Sequence, residues 1–214
     1  FSLHYLLPFV IFGVVFLHVA ALHITGSNNP LGIDPKGPQD TVPFHPYYTV
    51  KDLVGVAAFL MVFSAIIFFA PEMGGYFLEA NNFIPADPLK TPPHIAPVWY
   101  YTPFYAILRA VPSKLGGVIA MGAAIAILFV LPWLDKSPVK SMRYKGWMSK
   151  VWLAIFVVSF VGLGYLGAVP ADPIKTVLSQ IFTVLYFLFF LLMPIYTAIE
   201  TCKMPPKRVT GGKH

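Results

Sequence analysis

Two histidines, His4 and His18, stand 14 residues apart in an apolar run from Phe1 to Ile24 that holds no Asp, Glu, Lys or Arg. At 100° per residue this spacing is about 40° short of four helical turns. Both imidazoles therefore share one face, about 21 Å apart along the axis, one near each leaflet of a bilayer. Ionisable groups inside a membrane are costly and mark function by default. Neutral imidazole is a common axial ligand of haem iron, and two haems stacked across a membrane would need this arrangement. Two histidines satisfied by hydrogen bonds to neighbouring helices would show the same spacing. No second pair could supply opposite ligands, because His45, His94 and His214 fall in loops or in the tail.

His23 follows at the end of the same run, about 140° round the helix from His18. Thr25-Gly26-Ser27-Asn28-Asn29-Pro30 then reads as a helix stop. Across the next loop, Lys51 and Asp52 open a second apolar run. Asp52 is favourable at a helix N-terminus in any protein. His23, Lys51 and Asp52 could also deliver protons to a ligand reduced on that side of the membrane.

These side chains need a scaffold, and composition defines it. Of 214 residues, 57% are hydrophobic and 11% charged, against about 25% charged in soluble domains. Five apolar runs approach or exceed the roughly 20 residues that cross a bilayer: Phe1–Ile24, Asp52–Ala70, Lys114–Leu134, Val151–Val169 and Pro173–Thr201. The expected fold is an all-α integral membrane bundle. Phe1 lies inside an apolar run, so the chain is expected to begin part-way along a helix. Cys202 is the single cysteine and has no partner for a disulfide.

The net charge of +6 is distributed by side. Lys36, Lys51, Lys136, Lys140, Arg143, Lys145, Lys150, Lys203, Lys207, Arg208 and Lys213 fall on the side where the first helix ends. Lys90, Arg109, Lys114 and Lys175 fall on the other. The positive-inside rule makes the richer side cytoplasmic, with the C-terminus there. The excess is a topology signal with a role for anionic lipid, not a nucleic-acid footprint.

The segment from Pro71 to Ser113 is too long for a simple connector. It is rich in proline and aromatic residues, and an amphipathic helix is expected over Thr102–Val111. It suits either the wall of a pocket at the membrane surface or an interfacial aromatic belt.

Taken with these features, several blocks resemble one family. His4-Tyr5-Leu6-Leu7-Pro8-Phe9 with His18 and His23 through Pro30 is similar to the fourth helix of cytochrome b of the ubiquinol–cytochrome c oxidoreductase. Pro43 through Asp52 resembles the family's next block. Thr91-Pro92-Pro93-His94-Ile95, Pro97-Val98-Trp99-Tyr100, Ala106 through Arg109 and Lys114 through Val118 resemble its quinol-site loop. The resemblance covers nearly the whole chain in order.

The resemblance implies two haem b groups, each taking one axial ligand from this chain. His4 would serve the low-potential haem on the outer side and His18 the high-potential haem on the inner side. Ile95, Pro97, Val98, Trp99, Tyr100, Tyr101 and Tyr105 would surround a ubiquinol-oxidation site. His23, Ser27, Lys51 and Asp52 would line a quinone-reduction site. One electron from quinol would go to a Rieske-type iron–sulfur protein and a c-type cytochrome, the other across the membrane to quinone, with proton translocation. The implied partners are the N-terminal half of cytochrome b, membrane lipids and a second copy of the complex, in a bacterial inner membrane. Residues 1–24 would be the end of the haem-ligating helix and 25–214 a quinone-site domain. The family tetrad usually has Glu where Val98 stands, so the quinol proton must leave through water with a haem propionate, or another carboxylate such as Glu79. A dihaem anchor of another dehydrogenase shares the histidines but has no need of the long loop. A channel or transporter subunit predicts no haem.

Overall fold

The computed structural model describes residues 1–75, 77–78, 80–92 and 94–209. Glu79, Pro93, Lys213 and His214 lie outside them. Among the described residues every regular element is helical. Five helical spans are long and apolar enough to cross a membrane, as the apolar runs require of a multi-pass membrane protein. The chain forms two compact units: Phe1–Thr41 with Val139–Tyr144 and the tail from Met204, and Val42–Pro138 with Lys145–Lys203.

The first unit is built on α1 (Ser2–Thr25), none of whose residues is buried. The turn after it is tied by the Asn29 side chain, which donates to the Ile33 carbonyl at 2.6 Å and accepts from the Leu31 N–H at 3.1 Å. Gly32 has φ +65° and sits where a Cβ would meet the Lys140 side chain at 2.7 Å, so both its conformation and its contact ask for glycine. Lys140 pairs with Asp34 at 2.9 Å and Arg208 with Asp40 at 3.3 Å.

The second unit starts with α2 (Thr49–Phe69), also without a buried residue. It then runs through α3 (Thr102–Ala110), α4 (Lys114–Ala126), a 3₁₀ turn over Ile127–Val130, α5 (Leu131–Leu134), α6 (Trp147–Ala168), α7 (Pro173–Leu191) and α8 (Met193–Ile199). Its core joins Ala106 and Ile107 of α3, Ala124 of α4, Leu163 and Leu166 of α6, and Tyr186 and Phe190 of α7. Lipid is as apolar as these side chains, so close packing and satisfied polar groups hold such a core together. Tyr186 donates to the Ala124 carbonyl at 2.8 Å and Gln180 to the Ala110 carbonyl at 3.0 Å. The Ser159 and Thr183 hydroxyls return to carbonyls of their own helices at 2.7 and 2.6 Å.

Three helix limits differ from the sequence expectation, each for a local reason. The helix expected from Asp52 begins at Thr49, so Asp52 lies within its first turn rather than at its first residue. The helix expected from Val151 begins at Trp147 and takes Lys150 into its first turns. The run to Thr201 breaks at Leu192, just ahead of Pro194, which has no N–H to continue the ladder. Pro132 acts likewise: the 3₁₀ turn occupies the residues before it.

Helix α6 is capped at its N-terminus by Glu200. Its carboxylate accepts from the Ser149 N–H at 3.0 Å and from the Ser149 hydroxyl, and it is buried. Negative charge belongs at this end of a helix, where backbone donors lack partners. Glu200→Ala is expected to cost about 1–3 kcal/mol, the range for stranding buried donors. The measurement is the thermal inactivation temperature of the solubilised complex, which falls in Glu200→Ala and less in Glu200→Gln. Helix α7 is capped by Asp172, whose carboxylate accepts from the Lys175 N–H at 2.8 Å and pairs with the Lys175 ammonium at 2.8 Å. The Lys175 side chain, then its backbone N–H, holds this carboxyl below the ordinary Asp value. The cap is therefore complete above that ordinary value and is lost only as pH falls through the lower folded one.

Candidate functional site

The long loop of the second unit encloses a cavity of about 480 Å³, within the range of small-molecule sites. Helix α3 explains how it stays open. Thr102, Pro103, Ala106, Ile107 and Ala110 are buried along one face, which sinks the short helix into the bundle and anchors the preceding loop. Gly167 of α6 and Gly117 of α4 permit this. A Cβ at Gly167 would lie 1.9 Å from the Thr102 carbonyl oxygen, and one at Gly117 would lie 2.4 Å from that of Leu108. The Thr102 hydroxyl closes the turn by donating to the Trp99 carbonyl at 2.6 Å.

Of the residues expected around a quinol, Ile95, Pro97, Val98 and Trp99 line this cavity, with Ala96, Gly75, Phe77 and Asn82 beside them. Tyr100, Tyr101 and Tyr105 are not among its lining residues. Tyr100 meets Trp99 edge to face at 5.6 Å, Tyr101 packs on Phe104, and Tyr105 lies under the Arg109 guanidinium at 4.8 Å.

Two residues of the blocks that resemble the quinol-site loop, given no role there, belong to this region. His94 lines the cavity, and its Nε2 is 3.1 Å from the carbonyl of Ala168, the last residue of α6. Arg109 donates from Nη2 to the carbonyls of Leu166 and, at 3.1 Å, Val169. A guanidinium on unpaired C-terminal carbonyls complements Glu200 at the opposite end of α6, in the sense the helix dipole requires. The Arg109 signal was present in sequence as one cation closing a short amphipathic helix. For His94 the resemblance marked the block but not the contact, since its partner is 74 residues away.

His4 and His18 are both exposed on α1, and neither imidazole makes a hydrogen bond or ion pair among the described residues. His23 places Nδ1 2.8 Å from the Val19 carbonyl within α1, and Ser27 is exposed in the turn that follows. In the second unit, Lys51 lies 5.5 Å from the centre of the Tyr48 ring and Asp52 occupies the first turn of α2.

These features define a multi-pass helical membrane protein with a ligand-sized, loop-walled cavity and unpartnered imidazoles on a charge-free helix. Two family descriptions match it: "Cytochrome b(N-terminal)/b6/petB" over residues 1–103 and "Cytochrome b(C-terminal)/b6/petD" over residues 85–187. The chain is 61% identical to cytochrome b of Allochromatium vinosum, over 99% of its own length and 55% of that protein. It is 58% identical to cytochrome b of Rhodospirillum rubrum, over 99% of its length and 51% of that protein. A solved structure of a hyperthermophilic respiratory Complex III contains a chain that matches 93% of this one, with half of that chain covered, 39% identity and a TM-score of 0.84. The chain belongs to the cytochrome b family, and it spans about half the length of these relatives.

Membership in this family implies haem b, and the residues fit that group. Imidazole is an axial haem ligand, and both ring nitrogens of His4 and of His18 are free of other partners among the described residues. Among those residues no cluster of three or more His, Cys, Asp or Glu could hold a metal unaided.

Proposed function

We propose that this chain is the C-terminal part of the haem b subunit of a quinol–cytochrome c oxidoreductase, with ubiquinol as substrate. The cavity walled by Ile95, Pro97, Val98 and Trp99 supports this most directly, in a chain of the cytochrome b family. Haem b, when bound, supplies one-electron redox chemistry. His4 would hold the low-potential haem and His18 the high-potential one. The apolar wall of the cavity would receive the quinol ring and exclude bulk water, with Trp99 in that wall and Tyr100 packed on Trp99. His23, Ser27, Lys51 and Asp52 would bind quinone on the opposite side, where His23 and Asp52 could give up protons to the reduced ligand. The domain division at residue 24 follows from this reading, with the later residues forming the quinone-site part.

The partners in this reading are the N-terminal half of cytochrome b, a Rieske-type iron–sulfur protein, a c-type cytochrome, lipids and a second complex. Helices α1 and α2 bury no residue within the chain, which leaves whole apolar faces for such contacts. The basic loops support a cytoplasmic C-terminus, and likeness to cytochrome b of bacteria supports a bacterial inner membrane. The test is the purified membrane complex containing this chain, assayed for reduction of cytochrome c by ubiquinol and for dithionite-reduced b-type haem. Activity with two haem components of separate potential is expected. A complex without b-type haem would overturn the reading.

A further inference from the structure

We propose that His94 is the base that accepts a proton from a hydroquinone bound in the cavity, an inference that rests on the quinol-oxidation reading of that cavity. Among the described lining residues, His94 is the one whose side chain carries a basic nitrogen. The others are glycine, alanine, proline, valine, isoleucine, phenylalanine, tryptophan, threonine and asparagine. A hydroquinone cannot be oxidised fully without losing two protons, and Val98, beside the aromatic wall, has no group to take one.

The geometry sets the tautomer. The Ala168 carbonyl can only accept, so Nε2 at 3.1 Å carries the hydrogen and donates it. In the neutral ring, Nδ1 is then the bare nitrogen, and it has no partner among the described residues. The same bond supports the protonated ring, because Ala168 ends α6 and its carbonyl lies at the negative end of the helix dipole. The Asn81 side chain donates to the His94 carbonyl at 3.3 Å and steadies the backbone. Among the described residues, the charged groups on the surrounding elements are Arg109, on the Leu166 and Val169 carbonyls, the Asp172–Lys175 pair that opens α7, and Glu72, Asp87 and Lys90 of the loop.

In the step, one hydroxyl O–H bond breaks and an N–H bond forms on Nδ1, the oxygen keeping the bonding pair. The second hydroxyl proton goes to water. Two electrons leave singly, reducing an iron–sulfur cluster and a haem by one each. The imidazolium then releases its proton to water on the same side.

The experiment is steady-state quinol oxidation by the intact complex, as a function of pH, in His94→Asn, His94→Gln and Glu79→Gln. Removal of a positioned base costs about 100-fold or more in rate. Both His94 variants are expected to lose about 100-fold in kcat with KM within about twofold and the b-type haem spectrum unchanged. They should also lose the fall in rate towards low pH that protonation of a base produces. Val98→Glu added to His94→Asn places a carboxylate on the same wall and should recover about tenfold. Unchanged kcat and pH profile in the His94 variants, or loss of the low-pH limb in Glu79→Gln alone, would overturn the assignment. Should neither His94 variant assemble, the unsubstituted complex decides: a rate flat from pH 5 to 8 overturns it and a fall on the acid side supports it. If the unsubstituted complex has no b-type haem or oxidises no quinol, the functional reading itself fails.

Discussion

Replacing His18 by leucine is expected to remove one b-type haem component from the reduced-minus-oxidised spectrum of the assembled complex, and His4→Leu the other. The effect is all-or-none rather than graded. A haem iron held by one of these imidazoles would find no substitute ligand beside it on α1, since no Asp, Glu, Lys, Arg, Cys or Met occurs between Ser2 and Ile24 and His23 lies about 140° round the helix from His18. Leucine keeps the helix, because α1 is already apolar throughout and no imidazole hydrogen bond is lost among the described residues. Separate losses are expected because the two positions are about 21 Å apart along the axis. A redox titration tells the two apart: the high-potential component should vanish in His18→Leu and the low-potential one in His4→Leu. Histidines that only hydrogen-bond neighbouring helices would leave both components in place, and that outcome would remove the ligand assignments.

The helix count was legible because a membrane span is a property of length and apolarity, and both are written in the chain. Helix limits were less so. Lys150 looked like the end of a polar loop, yet one lysine on the first turns of α6 can extend its charge to the interface while its backbone is helical. Pro132 and Pro194 could be foreseen to disturb their helices, but not to shape a 3₁₀ turn in one case and a break in the other. The wall formed by Ile95, Pro97, Val98 and Trp99 was visible as a proline-aromatic cluster. The presence of His94 in that wall was not, because irregular backbone has no period from which a side chain's direction follows. The cavity lining and the Ala168 contact show it. Arg109 illustrates the same limit: its place in a charge count was correct, but its use as the cap of α6 depends on α3 lying across that helix end.

That crossing sets up the second large effect. Gly167→Ala is expected to lower quinol oxidation by about 100-fold while leaving the b-type haem spectrum intact. The added Cβ would stand 1.9 Å from the Thr102 carbonyl oxygen and 2.6 Å from its carbon. These are backbone atoms at the start of α3, so no rotamer change relieves the clash, and the helix end must move by more than 1 Å. Overpacking of this kind costs about 1–3 kcal/mol, and a shift near 1 Å in a reacting geometry can cost about 100-fold in rate. The displacement falls directly on the site. Thr102 lines the cavity and holds the Trp99 carbonyl, while the residue after Gly167 gives its carbonyl to His94. Gly122→Ala is the control, since a Cβ there meets nothing within 4 Å, and it should oxidise quinol at the unsubstituted rate. The measurement is kcat and KM for quinol alongside the haem spectrum of each purified complex. If Gly167→Ala matches Gly122→Ala in rate, α3 does not set the cavity wall, and the link from close helix packing to quinol chemistry fails.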